Sequence, residues 1–374
     1  MSIDRVALGT RKGLLLLERN GSNWSVVHEA FSGSHVSIAF LDRRSGHLFA
    51  CLDDGHFGNK LFRWSCFANQ ADWKTASQKE VWNEIAVPKY PEGSLLPNGN
   101  DAVLKYQWGM ATGSEQQPGR IYMATEPGGL FVTDDHGESW EINLPLWNHP
   151  SRTNEAMPWF GGGRDEAGIH SVCVDPRNDS HIRVGISCAG VFLTEDGGET
   201  WRPTNKGLKA EFLPDPAAEV GHDPHLLVQC FSQPDTLWQQ NHCGVFKSYD
   251  AGCSWDAVSD PKQEPHFGFT VAVDPEDGNT AWVIPAESDQ VRCAVNRKLS
   301  VCRTTDGGQN WQRFANGLPQ DDCFDFAFRH GLVYDDDTLV FGTACGSLYF
   351  SGDRGENWDA AKQHLPPIYC VTHV

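Results

Sequence analysis

One short pattern constrains the fold of this 374-residue chain more than any other feature: Ser/Thr-x-Asp-x-Gly-x-x-Trp, present five times. The copies are Thr133/Asp135/Gly137/Trp140, Thr194/Asp196/Gly198/Trp201, Ser248/Asp250/Gly252/Trp255, Thr304/Asp306/Gly308/Trp311 and Ser351/Asp353/Gly355/Trp358. Each follows an apolar run such as Val191-Phe-Leu or Leu348-Tyr-Phe. The pattern describes a hairpin turn. The Asp carboxylate accepts backbone N–H groups of its own turn, Gly takes a conformation that a Cβ forbids, and Trp packs back under the turn.

Two worn copies extend the series. Asn20-Gly21-Ser-Asn-Trp24 keeps Gly and Trp at the right separation, and Ser65 to Trp73 keeps the two ends with one residue added. The seven box tryptophans (Trp24, Trp73, Trp140, Trp201, Trp255, Trp311 and Trp358) are 47 to 67 residues apart, which suits a four-stranded blade with variable loops. Val/Ile/Phe-rich runs bounded by Asp-Pro, Gly and Asn repeat within each unit, and no amphipathic helix stands out. Arg5 to Leu17 reads as the second and third strands of a blade, and Ile368 to His373 as an inner strand with nothing after it. Paired, they close a ring and leave no open edge. The expectation is an all-β fold: a single seven-bladed β-propeller of four-stranded blades over residues 1–374, with the first blade completed by the C-terminal strand.

In these boxes the chain resembles the Asp-box (BNR) β-propellers, a family that includes sialidases, xyloglucan-cleaving glycosidases, sortilin-like receptor domains and a photosystem assembly factor. The resemblance implies the fold, and it implies that the box turns lie at blade edges, away from the active face. For sialidases it implies three arginines on a substrate carboxylate, a Tyr–Glu pair and an Asp acid. Arg11 falls in an inward turn and Arg164 and Arg292 in loops, and the family's Arg-Ile-Pro segment is absent, so sialidase activity is not expected.

Bulk composition narrows the partners. Thirty Lys+Arg against 49 Asp+Glu give a net charge of −19, which argues against nucleic acid or an anionic membrane while leaving room for a local basic pocket. The start lacks an apolar signal segment, and no stretch approaches a membrane span. The 12 cysteines include no Cys-x-x-Cys, and Cys173, Cys230, Cys302, Cys345 and Cys370 sit in apolar runs. They read as reduced, buried thiols of a cytoplasmic protein.

The long connections, roughly 84–105, 144–168 and 204–222, all run from the fourth strand of one blade to the inner strand of the next. In a propeller they emerge on the same face as the turns between second and third strands, where they would wall the channel mouth. That face should also collect His35, Gln107, His170, His222, His225, His266 and Asp322 at the starts of inner strands. Arg11, Lys12, Asp54, His56, Glu126, Asn241, His242 and Glu287 should join them from the turns. Seven of the 15 histidines fall there, from four blades.

Three chemistries suit this set. A divalent transition metal could be held by His56, His170, His242 and His266. Acid–base work would fall to His170 and His242 with Glu126 or Glu287. Binding of a small polar ligand, sugar-like or carboxylate-bearing, would use Arg11, Lys12, His56, His222, His225, Asn241 and His266, with Trp159 to stack. His222 and His225 are three residues apart on an extended chain and should point to different sides. Trp159-Phe-Gly-Gly-Gly-Arg164 reads as a mobile flap, and Trp108, Phe160, Phe57 and Phe267 as aromatics near the mouth. The expected function is a ligand pocket with glycosidase-like hydrolase or lyase chemistry, metal-assisted if the imidazoles converge. The alternative is a non-catalytic scaffold or assembly factor that docks a protein partner on the loop-rich face.

Overall fold

The computed structural model describes residues 3–21, 23–65, 67, 74–154 and 158–374. Twenty-eight strands form seven four-stranded antiparallel sheets. In blade 1, β28 (Ile368–His373) pairs with β1 (Arg5–Thr10) and closes the ring, and β2 (Gly13–Asn20) and β3 (Asn23–Ala30) follow outward. The inner strands of the next six blades are β4 (His35–Asp42), β8 (Tyr106–Thr112), β12 (Ile169–Asp175), β16 (Pro224–Gln229), β20 (Gly268–Val273) and β24 (Leu332–Asp335). Helix is confined to short turns such as Gln78–Val81 and Leu144–Trp147.

The core lies between blades. Leu226, Trp238 and Val245 of blade 5 pack on Val271, Ala281, Val283 and Cys302 of blade 6. Similar clusters join blades 3 and 4, and blades 6 and 7. No sheet is buried without its neighbours, so the array is stable only as a closed set.

The five clean turns are built alike. In the fourth, Thr304 Oγ1 donates to Asp306 Oδ1 at 2.9 Å and accepts from Gly308 N at 2.9 Å, while Asp306 Oδ1 accepts from Asn310 N. Gly137 of the first takes φ +92°, and a Cβ there would meet Ile85 Cδ1 at 2.9 Å. The tryptophans reach further than the sequence reading anticipates. Trp140, Trp201, Trp255 and Trp311 donate Nε1–H to Ala86 O, Asn143 Oδ1, Thr204 O and Val258 O, each at the end of the preceding blade. Only Trp358 bonds within its own turn, to Gly355 O. Four of the five boxes are therefore staples between blades. Of the worn copies, the first is a tight hairpin with buried Trp24, and Trp73 lies outside the described residues.

The inner strands share a second device that no repeat announces. Six blades carry a β-bulge at the same end of the inner strand. In each, the register skips one residue: Tyr369, Ser37, Trp108, His170 and His225 in blades 1 to 5. In blade 6 the bulge sets Phe269 and Thr270 against one partner residue. A bulge re-aims the extra side chain. Here it turns the extra residue of five blades toward the channel mouth, and that of blade 4, His170, into the interior.

The eleven described cysteines are free thiols. Cys345 departs from the buried set, because it sits exposed in the turn before Leu348–Ser351. No helix among the described residues is long and apolar enough to cross a membrane.

Candidate functional site

A cavity of about 480 Å³ opens at the mouth where the bulges lie. Five bulged residues line it: Ser37, Trp108, His225, Phe269 and Tyr369. Two of the three long connections reach over it, the second with Phe160, Gly162, Gly163 and Arg164, the third with Phe212. The first, 84–105, contributes nothing to the lining. A connection that the sequence reading did not single out, 286–300 in blade 6, brings Asp289 and Arg292 instead.

Three guanidinium groups converge here. Arg164 and Arg292 stand on the open rim, and Arg329, just before β24, sits deeper. Arg164 pairs with buried Glu126 and lies over the Tyr106 ring at 4.1 Å. Arg292 donates Nε–H to Asp289 O at 3.1 Å. Arg329 lies over the Trp108 ring at 4.9 Å, and its Nε is buried without a hydrogen-bond partner. No carboxylate comes within ion-pair distance of Arg329 among the described residues. Burial, then Arg292 and Arg164 nearby, push Arg329 down to about 10 against the pull of Asp223, so it remains a cation at neutral pH.

Opposite them stand Asp223, His225 and His242. His225 Nδ1 bonds Gly268 O at 2.6 Å, and its Nε2 lies 3.4 Å from Asp223 Oδ2. His242 Nδ1 is 3.7 Å from the same oxygen. Asp223 Oδ1 accepts from Ser187 Oγ at 2.8 Å and Cys188 N at 3.2 Å. Burial would raise the Asp223 carboxyl, but His225, Arg329 and Ser187 outweigh it and hold it well below the usual carboxylate range. Burial pushes His225 down, against the pull of Asp223. Phe267 meets both imidazoles edge-on, and Phe269 stacks on His225 at 4.8 Å.

The other sequence candidates are distributed differently. His170 is fully buried with both ring nitrogens engaged, by Pro224 O and Ser171 Oγ, and burial followed by Arg329 and His330 pushes it far down. His222 points away, with Nε2 on Ala218 O. Asn241 is buried between Gln239 Oε1 and Cys243 N. His266 meets Ser259 Oγ outside the lining. Glu126 is committed to Arg164, and Glu287 is exposed and accepts from Asn296 N. Arg11, Lys12 and His56 are exposed on turns away from the cavity wall. Trp159 belongs to the core between blades 3 and 4. The metal set His56, His170, His242 and His266 is therefore corrected: only His242 reaches the cavity, and its neighbours are Asp223 and His225.

The glycine segment is packed down. A Cβ on Gly162 would meet Cys188 Sγ at 2.5 Å, so glycine there serves close approach. Sequence reasoning missed Asp223, Arg329 and His330, and it set Arg164 and Arg292 aside as loop residues. Asp223 was legible in one respect: it and His225 are two apart, the offset that shares a face on an extended chain.

No family model matches the chain. One relative is the oligoxyloglucan-reducing end-specific xyloglucanase of Emericella nidulans, 27% identical over 127 residues, which is 33% of this chain and 13% of that protein. Among solved structures, an ancestral GH74 enzyme superposes with a TM-score of 0.54 at 14% identity over 90% of this chain and 38% of that one. The Cps50 (Swd1) propeller domain of Myceliophteria thermophila gives 0.50 at 11% identity over 88% of each chain. The chain thus spans well under half of the xyloglucanase and of the GH74 enzyme. At these identities the structural likeness establishes the propeller fold alone.

Proposed function

We propose that the mouth cavity binds a small carboxylate-bearing, sugar-sized ligand, and that Asp223, His225 and His242 act on it in a hydrolase- or lyase-type reaction. One observation carries the reading: a half-buried arginine, Arg329, faces the cavity without a carboxylate, with Arg164 and Arg292 beside it. A buried cation without a partner is costly, and an anionic ligand supplies the missing charge. Guanidinium forks suit carboxylate or phosphate oxygens, and Trp108, Tyr106 and Tyr369 offer faces for a sugar ring.

The short likeness to a xyloglucanase supports the sugar half of this reading. A neutral glucan, however, leaves the Arg329 guanidinium unmatched, so the ligand class is an acidic sugar or sugar acid. The lining carboxylates are Asp223 and Asp289, and no glutamate lines the cavity among the described residues. The Tyr–Glu pair of sialidases therefore has no counterpart at Tyr106 or Tyr369.

Calorimetric titration with hexuronates, sugar phosphates and neutral xyloglucan oligosaccharides tests the reading. Carboxylated ligands should bind the parent, and Arg329→Met or Arg292→Gln should weaken them about tenfold to a hundredfold. Equal binding of neutral oligosaccharides, undiminished in both variants, would overturn it. The scaffold alternative draws on Phe57 and Phe324, 71% and 61% exposed on loops between blade elements. It stands if no small ligand binds and a protein partner is lost on changing those two residues.

A further inference from the structure

Asp223, His225 and His242 each present one donor atom, and the three atoms lie within 4.8 Å of one another. Hydrogen bonding fixes which atoms these are. The 2.6 Å contact from His225 Nδ1 to Gly268 O requires the proton on Nδ1, so the Nε2 lone pair faces Asp223 Oδ2 at 3.4 Å. In the neutral ring two acceptors then face each other, and a cation between them satisfies both. Asp223 Oδ1 is already held by Ser187 Oγ and Cys188 N, which leaves Oδ2 as the oxygen turned toward the imidazoles. His242 Nδ1 approaches that oxygen at 3.7 Å.

We propose that these three residues form a divalent transition-metal site in the wall of the mouth cavity, with Asp223 Oδ2, His225 Nε2 and His242 Nδ1 as ligands. The two separations from Asp223 Oδ2, 3.4 and 3.7 Å, match the chemistry. A tetrahedral cation with bonds of about 2.1 Å places its ligands about 3.4 Å apart, whereas cis positions of an octahedron are closer, about 3.0 Å. Two imidazoles and one carboxylate suit Zn²⁺, Co²⁺ or Fe²⁺ and give calcium or magnesium too few oxygens.

The surroundings have the form such sites take. His225 is oriented by a backbone carbonyl and Asp223 by a hydroxyl and an amide, while Phe267 and Phe269 keep the imidazoles in an apolar shell. Asp223, His225 and His242 all line the cavity, so a cation held by them stands in its wall, with Arg329 among the other lining residues. The proposal deepens the anion reading by placing a Lewis acid beside the ligand. Its test uses the metal alone, so the two ideas can fail separately.

The chain is purified without a His tag, stripped with chelator and titrated with Co²⁺, then Zn²⁺, while the visible d–d bands of bound cobalt are followed. One cobalt per chain in a tetrahedral or five-coordinate spectrum is expected, displaced by zinc. Asp223→Asn and His242→Ala should each weaken binding tenfold or more, and His56→Ala, an exposed histidine outside the site, should not. His242 is only half-buried, so its variant should keep the parent's thermal midpoint and remain interpretable if Asp223→Asn does not fold. Absence of stoichiometric cobalt binding by the parent, or binding unchanged in His242→Ala, would overturn the proposal and leave His225 and Asp223 as an imidazolium–carboxylate pair.

Discussion

The rim and the mouth of this propeller use the same residue types to opposite ends. At the rim, the Ser/Thr hydroxyl, the Asp carboxylate and the turn amides of each clean box bond one another. Thr194 Oγ1, Asp196 and the N–H groups of Gly198 and Thr200 bond one another, and Trp201 ties the turn to the preceding blade. At the mouth, Arg329 Nε has no partner, and His225 Nε2 and His242 Nδ1 both turn to Asp223 Oδ2, at 3.4 and 3.7 Å. The rim repeats and the mouth does not: five blades bring five different bulged residues, and unequal loops reach over them. Satisfied networks rigidify a scaffold, and unsatisfied ones mark where something else is meant to bind.

That contrast can be broken most forcefully at a box tryptophan. Trp255 is buried and staples blade 5 to Thr204 of blade 4. Trp255→Ala should cost about 3–5 kcal/mol in denaturant unfolding, with cavity binding unchanged in the folded fraction. The mouth should behave in reverse. Arg329→Met, which lowers ligand affinity, should leave the unfolding midpoint unchanged or raised, because it removes a desolvated cation. A mouth variant that unfolds the chain, or a rim variant that abolishes binding alone, would dissolve the distinction.

Smaller effects sharpen it. Thr304→Val strips the bonds to Asp306 and Gly308 N at nearly constant volume and should cost about 1–3 kcal/mol, through the buried N–H left without a partner. The box aspartates should also set the acid limit of stability. For Asp135, burial pulls the carboxyl up, but bonds from Ser139 and Thr133 prevail and bring it from 3.8 down to about 2. A depressed folded-state value stabilises fully above 3.8, and that contribution is lost as pH falls toward 2. Thermal midpoints recorded across that window should fall for the parent and less steeply for Asp135→Asn.

The sequence carries the rim in full view and the mouth only in outline. Box spacing gives the blade count, and the unpaired terminal strands give the closure that β28 and β1 make. Loop lengths point to the right face, because a rigid ring sends all such connections one way. What fails is the choice of side chain. Position at the start of an inner strand assigns His170 and His266 to the mouth, yet the bulge at His170 engages both its nitrogens in backbone and Ser171 contacts, and His266 meets Ser259 outside the lining. A bulge leaves no mark in composition, so the sequence places His225 and Trp108 near the mouth but gives no sign of Ser37, Phe269 or Tyr369. Arg329 precedes an inner strand with no motif around it, and only the closed ring brings it beside Arg164 and Arg292.

The central claim is that this mouth selects an anion, and an anomalous-scattering measurement on bromide-soaked crystals tests it most directly. A strong bromide peak bounded by Arg164, Arg292 and Arg329, lost in Arg329→Met, is the result expected. Bromide scattered over surface lysines, with no peak in the cavity, would contradict it.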